Sequence, residues 1–170
     1  YVFYPNSDTD KTAVEWTVDD LNVAEVATTT DANGKVSGTV KAKAAGVAVV
    51  KLQVVGKTEV NAAFRLIVRP TNEPKNCKAD ATYNSVSLSW SPVADANGYT
   101  ITRKVEGSDT EQTIAHVDGT DTVSYKDTAA QTGISYIYHV YAYTKYTNNG
   151  QTDYANTDAY ASVKATPQLG

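Results

Sequence analysis

Apolar and polar residues alternate along most of this chain in short runs. The clearest runs are SVSLSW, GYTITRK, VSYKD and TGISYIYHVYAY, between Ser85 and Tyr143. A period of two marks strands with one face buried. It predicts strands near Ala79–Tyr83, Ser85–Ser91, Gly98–Val105, Gln112–Val117, Val123–Asp127, Ser135–Tyr146 and Ala159–Thr166. The same pattern predicts earlier strands near Val2–Tyr4, Ala13–Val18, Ala24–Thr28, Lys35–Ala42, Ala48–Val55 and Asn61–Val68. Asn33-Gly34, Asn97-Gly98 and Asn149-Gly150 read as turns, because both residue types tolerate positive φ. No twelve-residue segment holds a helical period; the exception in kind is a single turn at Val18–Val23.

Between the two groups of strands lies Arg69-Pro70-Thr71-Asn72-Glu73-Pro74-Lys75. It has two prolines and no periodicity, and proline interrupts ladders and stiffens short connections. The expectation is an all-β chain of two tandem antiparallel β-sandwiches joined by a short Pro-containing linker, with domains at 1–70 and 71–170. Trp90, Tyr99, Ile101, Tyr136, Tyr138 and Val140 should form the second core. Trp16, Val26, Val50, Leu52 and Leu66 should form the first.

The strand Ser135–Tyr146 is apolar on both faces. Tyr136, Tyr138, Val140 and Ala142 share one, and Ile137, His139, Tyr141 and Tyr143 share the other. A core needs only the first set. The second set, flanked by Thr100, Thr102 and Lys104, is expected to be an at least partly exposed aromatic stripe. Exposed rings suit sugar faces or partner proteins. The plainer alternative is cross-strand pairing that stabilises the sheet.

Composition narrows the function classes. The 170 residues carry a net charge of −4. Up to Pro70, 8 Lys/Arg balance 8 Asp/Glu; from Thr71 onward there are 7 against 11. Neither half has the basic surplus of a nucleic-acid binder. No apolar run reaches the roughly 20 residues that span a bilayer, so no direct membrane insertion is expected. Cys77 is the single cysteine, which precludes an internal disulfide and fits an exported bacterial protein. The chain opens inside a strand-like segment, so a larger parent is expected.

Candidate chemistry is sparse. His116 and His139 are the only histidines. Alternation points His139 outward, where a surface strand residue is the better reading than half of a catalytic acid–base pair. Cys77 with either histidine would suggest a nucleophile, but no second motif supports it. Asp8 with Asp10, Asp19 with Asp20, Asp118 with Asp121, and the two DANG segments at Asp31–Gly34 and Asp95–Gly98 are acidic, without the spacing of a calcium loop. Asp-x-Asn-Gly is also ordinary turn chemistry. No catalytic residue, metal site or cofactor is expected, and the chain reads as not an enzyme.

From about Pro74 to Pro167 the chain resembles a fibronectin type III domain. Trp90 in SLSW matches that family's core tryptophan. Gly98-Tyr99-Thr100-Ile101 matches the third strand, and Ser124-Tyr125-Lys126-Asp127 the fifth. Gly133-Ile134-Ser135-Tyr136 with Tyr138, Val140 and Ala142 matches the tyrosine corner and sixth strand. Ala129 and Ala130 stand where the family usually has Leu. The first half resembles a bacterial Ig-like domain of group 2. Trp16, Val23-Ala24-Glu25-Val26, Gly34-Lys35-Val36, Lys43-Ala44-Ala45-Gly46 with Val47–Val54, and Phe64–Val68 carry that likeness. The opening strand of that family is missing. The two resemblances imply immunoglobulin-like sandwiches acting as spacers in a larger secreted or cell-surface bacterial protein. Partners would be its neighbouring domains. The alternative is an accessory module or adhesin segment that binds extracellular carbohydrate or protein through Ile137, His139, Tyr141 and Tyr143.

Overall fold

The structure is a computed structural model, and the residues it describes are 2–3 and 13–169. The chain is all-β and divides into two compact units, Tyr1–Val68 and Arg69–Gly170.

In the first unit, β1 (Val2–Phe3), β4 (Val36–Ala42) and β3 (Ala24–Thr30) make one antiparallel sheet in the order β1-β4-β3. β2 (Val14–Val18), β5 (Gly46–Val54) and β6 (Lys57–Val68) make the other, in the order β2-β5-β6. β1 is two residues long and pairs with Thr39 and Gly38 of β4. The expected strand at Val2–Tyr4 is described only at these two residues, and Asp8 and Asp10 lie outside the described residues. The β3–β4 turn is built on Asp31, whose Oδ1 accepts from the amides of Asn33 and Lys35 at 2.9 Å each. Gly34 follows with φ 81°.

The first core is slighter than the sequence suggests. Of the five residues expected there, only Val50 is buried; Trp16, Val26, Leu52 and Leu66 are half-buried. The centre is instead Val23, Ala24 and Ala48. The facing sheet explains this. Past the Val26–Val40 pair, β3 and β4 offer Thr28 and Gly38, not large apolar side chains. Trp16 lies against Gly38 so closely that a Cβ there would come within 2.6 Å of its ring. A domain this small also buries a smaller share of its surface than a larger one.

In the second unit, β7 (Lys75–Ala81), β8 (Val86–Ser91) and β11 (Ser124–Asp127) form a sheet in the order β11-β8-β7. The facing sheet contains β9 (Gly98–Val105), β10 (Gln112–Asp118), β12 (Tyr136–Asn148), β13 (Gln151–Asn156) and β14 (Ala161–Ala165). β12 pairs with β9 on one edge; its other edge is shared by β14 at Tyr136–Val140 and β13 at Tyr143–Asn148. All six residues expected in this core are buried, and Trp90 meets Tyr99 edge to face at 5.3 Å. Tyr136 accepts a hydrogen bond from the Gln131 amide at 3.2 Å, which ties the loop before β12 to its first residue.

Three expectations are corrected. β7 begins at Lys75, not Ala79, because polar Lys75 to Lys78 pair across a bulge that alternation does not reveal. β13 is a strand that was not expected; its QTDYAN sequence has too few apolar residues to stand out. Asn97-Gly98 is not a turn. Gly98 is already in β9, and a Cβ on it would collide with the Val117 carbonyl and the Tyr143 hydroxyl. Close approach, not positive φ, requires glycine here.

Replacing Trp90 by Ala is expected to lower stability by about 3–5 kcal/mol, because the cavity cannot close. Trp16→Ala should cost less, since its ring is already half in water. Denaturant titration of each variant, read in the transition of its own unit, checks the ranking. Equal losses at both positions would contradict it.

Candidate functional site

The second face of β12 was expected to be at least partly exposed: Ile137 and Tyr141 are half-buried, whereas His139, 7 % exposed, and Tyr143, 0 % exposed, are buried. Thr100 and Thr102 beside them are buried as well. Side chains from the edge strands fold inward and cover the row.

β10 supplies one side of this cover. A bulge between Thr113 and Ala115 resets its alternation, so that His116 pairs with Thr100 and Thr113 with Thr102 on the same outer face. β13 supplies the other side. Its Tyr154 and Asn156 stand opposite Lys145 and Tyr143 of β12. Tyr160 comes from the break between β13 and β14. Glu111, His116, Tyr154, Asn156 and Tyr160 are therefore part of the site, and the sequence reading had not joined them to it. The alternation of Thr152, Tyr154 and Asn156 is the one signal that could have found β13.

Two clusters result. In the first, His139 Nδ1 lies 2.7 Å from Glu111 Oε1, and Thr102 Oγ1 donates to the same oxygen. The imidazole lies against the Tyr160 ring at 4.1 Å and meets Tyr141 edge-on at 6.5 Å. Tyr160 and Tyr141 are 5.0 Å apart. Burial pushes the Glu111 carboxyl up, but the hydrogen bonds from Thr102 and His139 outweigh it, and the net shift is below the usual carboxylate range.

In the second cluster, His116 stacks on Tyr154 with centroids 3.7 Å apart and planes 4° from parallel. Tyr154 in turn meets Tyr143 edge-on at 4.8 Å. Thr100 donates its only hydroxyl proton to Asn156 Oδ1 at 2.7 Å, so His116 Nδ1, 3.0 Å away, is the donor to Thr100. Under this layer the Tyr143 hydroxyl donates to Asp118 Oδ1 at 2.5 Å, and Lys145 Nζ donates to Asp118 Oδ2 at 2.7 Å. Burial, together with the bond to Asp118, raises the Tyr143 hydroxyl far above its usual value. The bonds from Lys145 and Tyr143 hold Asp118 below its own. Burial lowers His116, with the Asp118 charge opposing.

The remaining candidates are structural. Asp19 Oδ1 accepts from the Val49 amide at 2.6 Å, and Asp20 Oδ1 from the Asn22 amide at 2.9 Å. Asp95 is a left-handed residue at φ 63°. Cys77 is half-buried, and burial pushes its thiol up, away from the reactive thiolate. Among the described residues no group of three or more His, Cys, Asp or Glu could hold a metal ion.

The geometry sets the titration of His116. A depressed histidine favours the neutral ring in the folded state. Its contribution to stability is fully present above the unfolded value near 6.5 and is lost as pH falls through the lower folded value. An NMR titration of the His116 ring should give a midpoint below about 6.5. Asp118→Asn, which removes the opposing charge, should lower it further; a rise would contradict the assignment. Tyr143→Phe should cost about 1–3 kcal/mol, because it deletes a buried donor to a charged acceptor. It should also let Asp118 titrate higher.

No family model matches the chain, and no curated protein matches it. Solved structures do. A Fn3-like protein from Clostridium thermocellum is 29 % identical, with 59 % of this chain and 98 % of that one covered and a TM-score of 0.40. The fn3 domain of the human collagen alpha-1(XX) chain is 16 % identical, with 59 % and 88 % covered and a TM-score of 0.44. A chain described as a myokine structure is 19 % identical, with 58 % and 98 % covered and a TM-score of 0.43.

Proposed function

We propose that this chain is a non-catalytic architectural pair of modules from a larger secreted or cell-surface bacterial protein. In this reading the first unit is a bacterial Ig-like domain of group 2, and the second a fibronectin type III domain. Together they hold a catalytic or adhesive domain at a set distance, and their partners are the neighbouring domains. One observation carries the reading: both histidines and two carboxylates of the outer sheet face are tied up in bonds within the fold, His116 with Thr100. His139 is held by Glu111, and Asp118 by Tyr143 and Lys145. Satisfied polar networks rigidify the framework that carries them. Rigidity serves a spacer, whereas catalysis needs a nucleophile and base aimed at a substrate. Dyes at the two ends of the chain test this. Single-molecule energy transfer should give one narrow distance distribution that salt does not change. The broad distribution of a flexible chain would remove the spacer reading.

A second reading has its own observation. Tyr160 is 43 % exposed while its ring rests on His139 and Tyr141. A ring held from beneath loses little entropy when a flat ligand stacks on it. Glu111, bonded to His139 beneath the ring, offers an exposed carboxylate that suits hydroxyl groups, so an extracellular carbohydrate is the ligand it favours. On a glycan array the intact chain would then bind a defined set of sugars. Tyr160→Ala would abolish that binding in a chain that still unfolds cooperatively, with only a modest fall in melting temperature. An array without hits would leave the spacer reading alone.

A further inference from the structure

The sequence contains three Asn-Gly pairs, and the structure treats them differently. In such a pair the backbone nitrogen of the glycine can attack the asparagine side-chain amide carbon. A C–N bond forms, the bond to the side-chain nitrogen breaks, and ammonia leaves. Water then opens the five-membered succinimide at either carbonyl, giving aspartate or isoaspartate. The reaction needs a glycine amide that is not engaged elsewhere and a peptide unit that can turn.

At Asn33 the attacking nitrogen is occupied: the Gly34 amide donates to the Asp31 carbonyl at 3.0 Å. The Asn33 amide is held as well, by Asp31 Oδ1. At Asn97 the pair is locked into the sheet. Asn97 Oδ1 accepts from the Lys145 amide at 2.8 Å, its own amide donates to the Tyr143 carbonyl, and its carbonyl accepts from Gly119. Gly98 lies in the ladder between Tyr143 and Asp118, with no room to turn. Asn149 is the contrast. Asn149 and Gly150 are the two-residue turn between Asn148 and Gln151, with φ of 49° and 79°. Both are exposed, and among the described residues no hydrogen bond is made by the Gly150 amide. The strand ends on either side are exposed too, so fraying of the hairpin tip opens no core.

We propose that Asn149 is a site of spontaneous deamidation in the folded protein, and that the fold protects Asn33 and Asn97. The consequence reaches the outer sheet face. Isoaspartate puts one extra methylene into the backbone of a two-residue turn, and that turn sets the β12–β13 register. β13 carries Tyr154 and Asn156, which cover Tyr143 and Thr100.

The test is ageing of the intact chain in mildly alkaline buffer, with and without urea, followed by peptide mapping by mass spectrometry. One engaged hydrogen bond slows the attack by up to about tenfold. Asn149 should therefore convert at least about tenfold faster than Asn97, which must break several. In urea the three positions should converge. Native conversion at Asn149 no faster than at Asn33 and Asn97, or strongly suppressed relative to urea, overturns the proposal. In the isolated isoaspartate form, amide exchange along β13 should speed up; unchanged exchange overturns the coupling between turn and cover.

Discussion

Two tyrosines lie fully buried on opposite faces of one strand, and much of the second unit follows from satisfying them. Tyr138 and Tyr143 are both 0 % exposed on β12. A buried hydroxyl without a partner is costly. Each therefore donates to a carboxylate: Tyr138 to Asp127 at 2.9 Å, and Tyr143 to Asp118. Each carboxylate is in turn balanced by a cation. Arg103 reaches Asp127 at 2.7 Å on the core side, and Lys145 reaches Asp118 on the outer side. The two arrangements differ in depth. Asp127 is buried and also accepts from the Ala129 amide, so it fixes the loop before β12. Asp118 and Lys145 are open to water, and their pairing is correspondingly more sensitive to salt.

This double burial changes what the sheet face can do. A strand apolar on both faces needs two layers of cover, and the first comes from the β11-β8-β7 sheet. The second comes from side chains of β10, β13 and the β13–β14 break, which reach across their neighbours. Polar groups caught in that layer are used to hold it together. His116 and His139, which in another setting could act as bases, are oriented by Thr100 and Glu111 and packed against tyrosines, His116 stacked on Tyr154 and His139 tilted against Tyr160. Tyr160 stays accessible on a rigid base, and His116 and Glu111 are exposed at the margin of the same layer.

The first unit meets the same demands with fewer means. Its two three-stranded sheets close over small residues, and its larger apolar side chains stay half in water. Where Trp16 crosses to the opposite sheet, only glycine leaves room for it at position 38. The short apolar reach of β3 and β4 was visible in their threonines, but its effect on Leu52 and Leu66 depends on which residues face them.

Alternation alone determined the all-β class, most of the strands and the centre of the second core, because a period of two places a side chain on a face and one face must be buried. Val93, Ala96 and Ala130, buried with that centre, lie outside the strands and were not read from it. It also identified Ile137, His139, Tyr141 and Tyr143 as a set on one face. It could not say whether that face is covered. Cover depends on the bulge that turns His116 outward, on the pairing of β13 with the far half of β12, and on the break that lifts Tyr160 over His139. These are contacts between residues distant in sequence, and local pattern carries no record of them. The same holds for Gly98. In the sequence it is half of an Asn-Gly turn signal; in the fold it is the space that the Tyr143 hydroxyl requires.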